Sequence, residues 1–288
     1  MFLSLFFWLA LLLPGYALAR LVDDEDSECG LMGMIGVAYL WAFALLSPVS
    51  ILCYLLRLPV YVFSAACVAA VLGGVVVIHR RKWWGPLGRM VVAGVCLELV
   101  LVVVDLAFSA RIGAFLSGDA ESHVARIRFL LAHGFSNQGP FVNAPTFFWV
   151  YHTNIQHAMY AACSQLTGTS YLSVWYTSIV WAKLAIVGGT YYFAYKALRS
   201  RWAAWLPTLF LLVIVAPVTY LVYPNKVAPG WLLPIAMGFA IDVVRRPQRW
   251  VHPLKLVAVA LVLAQVHSLY AFFMALVLGP IFAVLLGI

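Results

Sequence analysis

Charged residues are scarce in this sequence, and acidic residues are the scarcest of them. Only 10 of the 288 residues are Asp or Glu, and charged residues of both signs make up 10% of the chain, whereas an ordinary soluble domain carries about 25%. This composition argues against a soluble domain. The 18 Lys and Arg residues mostly lie in short clusters between apolar blocks, which is typical of membrane topology signals rather than of nucleic-acid binding.

Cysteine is present, but it forms no motif. The five cysteines have no paired spacing, and those inside apolar runs behave as small apolar residues, so neither a disulfide framework nor a metal site is predicted. The sequence also lacks the ~10-residue segments of alternating polarity that a transmembrane barrel needs. The class that remains is a helical membrane protein.

Long apolar runs fill the chain. The sequence is 65% hydrophobic with a mean hydropathy of +0.99, and apolar runs long enough to cross a bilayer recur from end to end. We therefore predict an all-α fold, a polytopic transmembrane helical bundle of about 8–9 spans. The predicted spans are 2–18, 31–47, 59–78, 90–109, 171–195, 203–222 and 229–244, followed by 254–288 as one kinked helix or two short ones.

Three of these runs contain features that set their boundaries. Segment 2–18 has no basic start, so a retained span is favoured over a cleaved signal peptide, although small residues near its end fit a cleavage site. The run 31–78 is too long for one helix and is split from Pro48 onward. His267-Ser268 and Gly279-Pro280 are expected to interrupt the last run.

The chain divides into three predicted parts: N-terminal transmembrane helices at 1–109, an extracytoplasmic loop with amphipathic helices at 110–170, and C-terminal transmembrane helices at 171–288. Because the sequence stops within an apolar run, we expect it to be part of a longer protein. The acidic run 23–28 is interpreted as a solvated loop.

Basic residues predict the orientation. If the cluster at 79–89 is cytoplasmic, the clusters at 196–201 and 245–255 also fall inside, as the positive-inside rule requires. The insert 110–170 then lies outside a plasma membrane that the chain crosses several times.

The insert contains two predicted helices. The first is capped by Ser117 or Asp119 and ends at Gly134. An apolar stripe suggests that it lies along the membrane interface: Val124, Ile127 and Leu131. The second predicted helix follows an aromatic segment and carries His152 and His157.

Ionisable side chains at a membrane are costly and tend to mark function. In a transferase that uses a lipid-phosphate donor, a carboxylate takes the proton of the acceptor hydroxyl, and cations or histidines stabilise the departing phosphate. Asp119 is the first candidate for this base and Glu121 the second. The candidate phosphate partners are Arg126, His157, Lys226 and His267. Structural roles stay open as alternatives, with Asp119 as a helix cap and Glu121 as a favourable charge in the first turn.

The arrangement Gly118-Asp119-x-x-x-His123, then x-x-Arg126-x-x-x-Leu130, then an aromatic-His segment ending in Leu166-Thr167-Gly168, resembles the first outer loop of the GT-C superfamily of integral-membrane glycosyltransferases. That superfamily includes protein mannosyltransferases and aminoarabinose transferases. The resemblance implies a polyprenyl-phosphate sugar donor, and it implies that an acidic residue of this loop is the catalytic base or a metal ligand. Asp119 matches that residue, with Glu121 as second choice. The resemblance also places His123 and His152 among the substrate-binding residues.

The function predicted from this resemblance is hexosyl or pentosyl transfer to an extracytoplasmic acceptor hydroxyl. The expected partners are a lipid-linked sugar donor, membrane lipids, and a glycan or protein acceptor. Nucleic acid is not expected, nor is an organic cofactor, whereas a divalent metal stays open. A transporter or flippase is an alternative in which Glu98 and Asp105, on one face of their span, line a path. A non-catalytic membrane scaffold is another.

Overall fold

The computed structural model describes residues 2–112, 119–136, 154–215 and 223–286. Over these residues the chain consists of helices and short connections. The helices are α1 (Phe2–Ala10), α2 (Leu12–Val22), a 3₁₀ segment (Asp24–Cys29), α3 (Gly30–Leu55), α4 (Val60–Arg81), α5 (Trp84–Ile112), α6 (Asp119–His133), α7 (Ile155–Thr167), α8 (Tyr171–Leu198), α9 (Arg201–Val215), α10 (Pro224–Val227), a π-helical turn (Ala228–Leu232), α11 (Leu233–Arg245) and α12 (Val251–Leu286).

The predicted all-α, multi-span membrane fold is confirmed. Seven helical stretches in the described part of the chain are long and apolar enough to cross a bilayer. They are Leu3–Val22, Gly30–Leu55, Val60–Arg81, Trp84–Leu101, Tyr171–Leu198, Pro224–Arg245 and Val251–Gly279. The apolar helix Arg201–Ile214 is shorter, and the rest of the span predicted at 203–222 lies mostly outside the described residues.

The core of the bundle is built around Trp181 of α8, which is fully buried. Its ring stacks on Trp8 of α1, with centroids 4.5 Å apart, and on Phe43 of α3, with centroids 5.3 Å apart. Ser4 and Thr177 share a 2.8 Å hydrogen bond nearby. The first apolar run therefore packs against α3 and α8 within the bundle.

Two helices meet at glycines. A methyl group on Gly188 of α8 would lie 2.6 Å from the backbone nitrogen of Gly36 in α3, which is too close for any side chain. Small residues allow such close backbone contact between membrane helices, where lipid offers no competing hydrophobic gain.

Of the predicted helix breaks, one is shorter than expected, one is wrong and one is confirmed. The run 31–78 does divide into two helices, but α3 continues through Pro48 to Leu55 and α4 begins at Val60, because a membrane helix tolerates the loss of one backbone hydrogen bond when neighbouring helices hold it. Helix α12 likewise continues through Gly279-Pro280. His267 does interrupt α12, with φ −160° and ψ 98°.

The bundle has a basic end, defined by the connections at 23–29, 82–83, 199–200 and 246–250. The three basic clusters of the sequence meet there: Arg20 lies over the Trp83 ring, Arg201 donates to the Glu28 carbonyl oxygen, and Arg246 pairs with Glu25.

The acidic run is only partly solvated, because Asp23 and Asp26 are buried, which corrects the interpretation made from its composition. Asp26 is fully buried. Lys255 Nζ lies 2.9 Å from its Oδ1, and the Tyr192 hydroxyl donates to the same oxygen at 2.7 Å. Lys196 bridges Asp26 and Asp242, at 3.3 Å and 2.8 Å. The run folds inward because lysines of α8 and α12 supply the compensating charge that a buried carboxylate requires.

Candidate functional site

The candidate site lies at the end of the bundle opposite the basic end. Helix α3 begins at the basic end and α8 finishes there, so the end of α3 and the start of α8 mark the other side. Helix α6 is fastened to that side by Phe135, whose backbone N–H donates to the Leu58 carbonyl oxygen at 2.9 Å. Gly134, which lies between the end of α6 and Phe135, adopts a left-handed φ of 72°, so α6 ends at the predicted glycine.

Two histidines from different helices meet at this end. His123 Nδ1 of α6 lies 2.9 Å from His157 Nε2 of α7, and the side chains are only 6% and 1% exposed. The two rings form a buried hydrogen-bonded pair, in which one nitrogen donates and the other accepts.

Aromatic rings enclose the pair. The Trp175 ring stacks on His123 at 5.8 Å and 20°, and the Tyr223 ring lies 5.7 Å from His123 and 5.6 Å from Trp175. We call His123, His157, Trp175 and Tyr223 the histidine site. The site combines two imidazoles, which can donate or accept a proton, and two flat aromatic rings.

Asn154 sets the position of His157. Its Oδ1 accepts from the backbone N–H groups of Gln156 and His157, at 2.9 Å and 3.2 Å, which caps the start of α7. Its Nδ2 donates to the Val266 carbonyl oxygen of α12 at 2.9 Å. That carbonyl directly precedes the break at His267, where the helical hydrogen-bond ladder is interrupted. Asn154 therefore ties the start of α7 to the kink in α12.

Arg126 adds a buried cation to α6. Its side chain is 3% exposed, its Nη2 donates to the Ser136 carbonyl oxygen at 3.4 Å, and the guanidinium lies 5.4 Å from the centre of the Phe129 ring. Burial lowers the pKa of Arg126 to about 10, because it disfavours the charged form. The guanidinium therefore stays charged at neutral pH, one turn of helix beyond His123.

The structure brings some of the predicted site residues together. His123, His157 and Arg126 are buried at the same end. Lys226 is exposed on α10, just after Tyr223, and His267 is partly buried at the kink of α12. Glu121 is exposed on α6.

Two predicted site residues have side chains outside the described part of the structure. Asp119 is the first residue of α6, so its backbone is placed one turn before His123, but its side chain is not described. His152 lies in 137–153, outside the described residues.

Sequence reasoning missed Trp175, Tyr223 and Asn154. A cap signal was available for Asn154, because Asn directly precedes the apolar helix α7. Nothing in the sequence distinguishes Trp175 and Tyr223 from the many other aromatic residues, since their role comes from packing against His123.

The spacing of the two histidines does not fit the divalent metal that the sequence leaves open. A metal bound by two histidine nitrogens at about 2.0–2.1 Å in tetrahedral geometry would hold them about 3.3 Å apart, whereas the two nitrogens here are 2.9 Å apart. The pair is therefore arranged for a hydrogen bond. Within the ranges described, no group of three or more His, Cys, Asp and Glu side chains is placed to hold a metal ion.

No protein-family model, no curated protein and no solved structure matches this chain.

Proposed function

We propose that this protein is a membrane glycosyltransferase that moves a hexosyl or pentosyl group from a polyprenyl-phosphate donor to an acceptor hydroxyl at the outer face of the membrane. The base removes the hydroxyl proton as the new glycosidic bond forms, and the bond between the sugar and the phosphate oxygen breaks. The phosphate departs with the bonding electrons. Such a reaction needs a base, a stabiliser of negative charge and a surface for the sugar.

The observation that carries the proposal is the buried His123–His157 contact, with the buried Arg126 one turn further along α6. A buried cation interacts strongly with a developing negative charge, because little water screens it. His123 Nδ1 and His157 Nε2 lie 2.9 Å apart, and these imidazoles supply a group that donates or accepts a proton. Together they fit the stabilisation of a departing phosphate.

Asp119 fits the base because of its place on α6. It is one turn before His123 and about two turns before Arg126, so the three residues follow one another along one helix. The Trp175 ring is 4% exposed and stacks on His123, so it fixes the orientation of that imidazole.

The direct test is sugar transfer by the purified protein in lipid nanodiscs, with a panel of polyprenyl-phosphate hexoses and pentoses. We expect Asp119→Asn to lower turnover by about 10²–10⁴-fold, the usual contribution of a general base. Glu121→Gln, two residues on, tests the second candidate. Glu28→Gln is the matched control, because Glu28 is an exposed carboxylate at the basic end. Unchanged turnover in both Asp119→Asn and Glu121→Gln would rule out these carboxylates as the base.

A transporter is the second candidate, and one observation favours it. Glu98 lies in the span Trp84–Leu101 and is 4% exposed, and its Oε1 has no hydrogen-bond partner among the described residues. Carboxyl groups in such positions often mark ion or proton paths. Glu98→Gln separates the two functions: it leaves sugar transfer intact in a transferase, whereas it abolishes proton-coupled uptake into proteoliposomes in a transporter.

A further inference from the structure

A recess lies at the basic end, far from the histidine site. Its volume is about 710 Å³, and it is lined by residues at the ends of α2, α3, α5, α8 and α9. All five helices begin or end at the basic end, so the recess lies where membrane-spanning helices leave the apolar layer. The lining includes Arg20, Arg89, Arg201, Met34, Met90 and Trp205.

The three arginines of this recess carry more positive charge than their partners neutralise. Arg20 is paired with Asp24 and also donates to the Tyr16 hydroxyl at 2.9 Å. Arg201 donates from Nε and Nη2 to one neutral acceptor, the Glu28 carbonyl oxygen, at 3.0 Å and 2.8 Å.

Arg89 is the least constrained of the three. It is exposed, and among the described residues it has neither a hydrogen bond nor an ion pair. Two guanidinium groups, those of Arg89 and Arg201, thus line the same recess, and neither is paired with a carboxylate in the part of the chain that the structure describes. This arrangement is complementary to an anion, and guanidinium groups bind phosphate oxygens in pairs.

Most of the rest of the lining is apolar. Met34, Met90, Trp202 and Trp205 line the recess, and Trp202 is 87% exposed. Tryptophan is enriched at the level of lipid headgroups, where its ring meets both the apolar layer and water. Such a surface contributes nothing to the binding of a free phosphate ion, whereas the glycerol and first methylene groups of a phospholipid pack against it.

We propose that this recess binds the headgroup of an anionic phospholipid, with Arg89 and Arg201 on the phosphate and the methionine and tryptophan side chains on the start of the acyl chains. The lipid is a component of the leaflet at the basic end. It is distinct from any sugar donor, because the histidine site lies at the opposite end of the same helices.

The test is lipid binding to the purified full chain, measured by native mass spectrometry with phosphatidylglycerol titrated into detergent micelles. We expect one tightly held phosphatidylglycerol per chain, and Arg89→Gln should weaken its binding by about tenfold or more, since hydrogen bonds to charged groups contribute about 1.5–3 kcal/mol. Because Arg89 has no described partner, the substitution should leave the thermal unfolding midpoint unchanged. Arg81→Gln is the matched control, because Arg81 is an exposed arginine of the same end that does not line the recess.

Two further binding measurements distinguish a phospholipid from free phosphate as the occupant of the recess. Phosphatidylcholine, which is zwitterionic, should not replace phosphatidylglycerol, and inorganic phosphate at the same molar excess should not displace it. Equal losses in Arg89→Gln and Arg81→Gln would overturn the site. Complete displacement by inorganic phosphate would overturn the assignment to a lipid.

Discussion

His123 Nδ1 and His157 Nε2 lie 2.9 Å apart, and this contact joins the amphipathic helix α6 to the buried helix α7. The short distance leaves room for one proton between the two nitrogens, because two N–H groups directed at each other would repel. The two rings therefore share one hydrogen bond, and Trp175 and Tyr223 hold the His123 ring in place.

Substitution of His157 tests the role of this pair. We expect His157→Asn to lower sugar transfer by about 10²-fold or more, because the remaining imidazole loses its partner. His133→Asn is the control, since His133 is an exposed histidine of α6. The measurement is turnover in nanodiscs together with the thermal unfolding midpoint. Equal turnover in the two variants would remove the pair from the reaction.

The parts of the fold that depend on local sequence were predictable. Apolar runs identified the spans, since a span needs about 20 apolar residues whatever its neighbours are. Gly134 ended α6 as predicted, because glycine adopts positive φ without steric cost. The interruption at His267 was also predicted from the sequence.

The parts that depend on distant partners were not predictable. The sequence predicts that Asp26 is solvated, whereas it is buried against Lys255, which lies 229 positions away. His123 and Arg126 lie outside the apolar stripe predicted for α6, yet both are buried. His123 is covered by His157 of α7 and Trp175 of α8. Composition and periodicity carry no information about such pairings.

Removal of Lys255 should destabilise the protein strongly. Lys255→Met would leave Asp23 and Asp26 without the amine that lies 2.6 Å and 2.9 Å from them, and loss of one partner of a buried pair costs about 3–5 kcal/mol. The control is Lys82→Met, which removes an exposed lysine at the same end. Thermal unfolding in detergent is the measurement. Similar midpoints for the two variants would show that the network contributes little to stability.

Asp23 should make stability depend on acid pH. Burial opposes its ionisation, but the hydrogen bond and charge of Lys255, with Arg249 nearby, outweigh burial and hold the pKa of Asp23 below its usual 3.8. His252 also faces this carboxylate, at 3.9 Å. Because the unfolded chain takes up the proton first, the stabilisation is present above about pH 4 and is lost as the pH falls further.

The measurement for Asp23 is the unfolding midpoint followed from about pH 6 to about pH 3. Asp23→Asn should flatten part of the fall in stability at the acid end, whereas Asp24→Asn, which changes an exposed carboxylate, should leave it in place. If the unfolding midpoint of Asp23→Asn fell at acid pH as steeply as that of the unsubstituted protein, the prediction would be contradicted.

The glycine contact between α3 and α8 offers a test of the packing itself. A methyl group on Gly188 would lie 2.6 Å from the backbone nitrogen of Gly36 and 2.9 Å from the Met32 carbonyl oxygen, and backbone atoms cannot rotate away as a flexible side chain does. Gly188→Val should therefore separate the two helices at a cost of about 1–3 kcal/mol, seen as a lower unfolding midpoint. Gly73→Val is the matched control, because it makes the same change inside α4, where a methyl group would meet no atom within 4 Å. The difference between the two midpoints cancels the intrinsic effect of valine in a helix and isolates the contact, so equal midpoints would show that α3 and α8 do not depend on it.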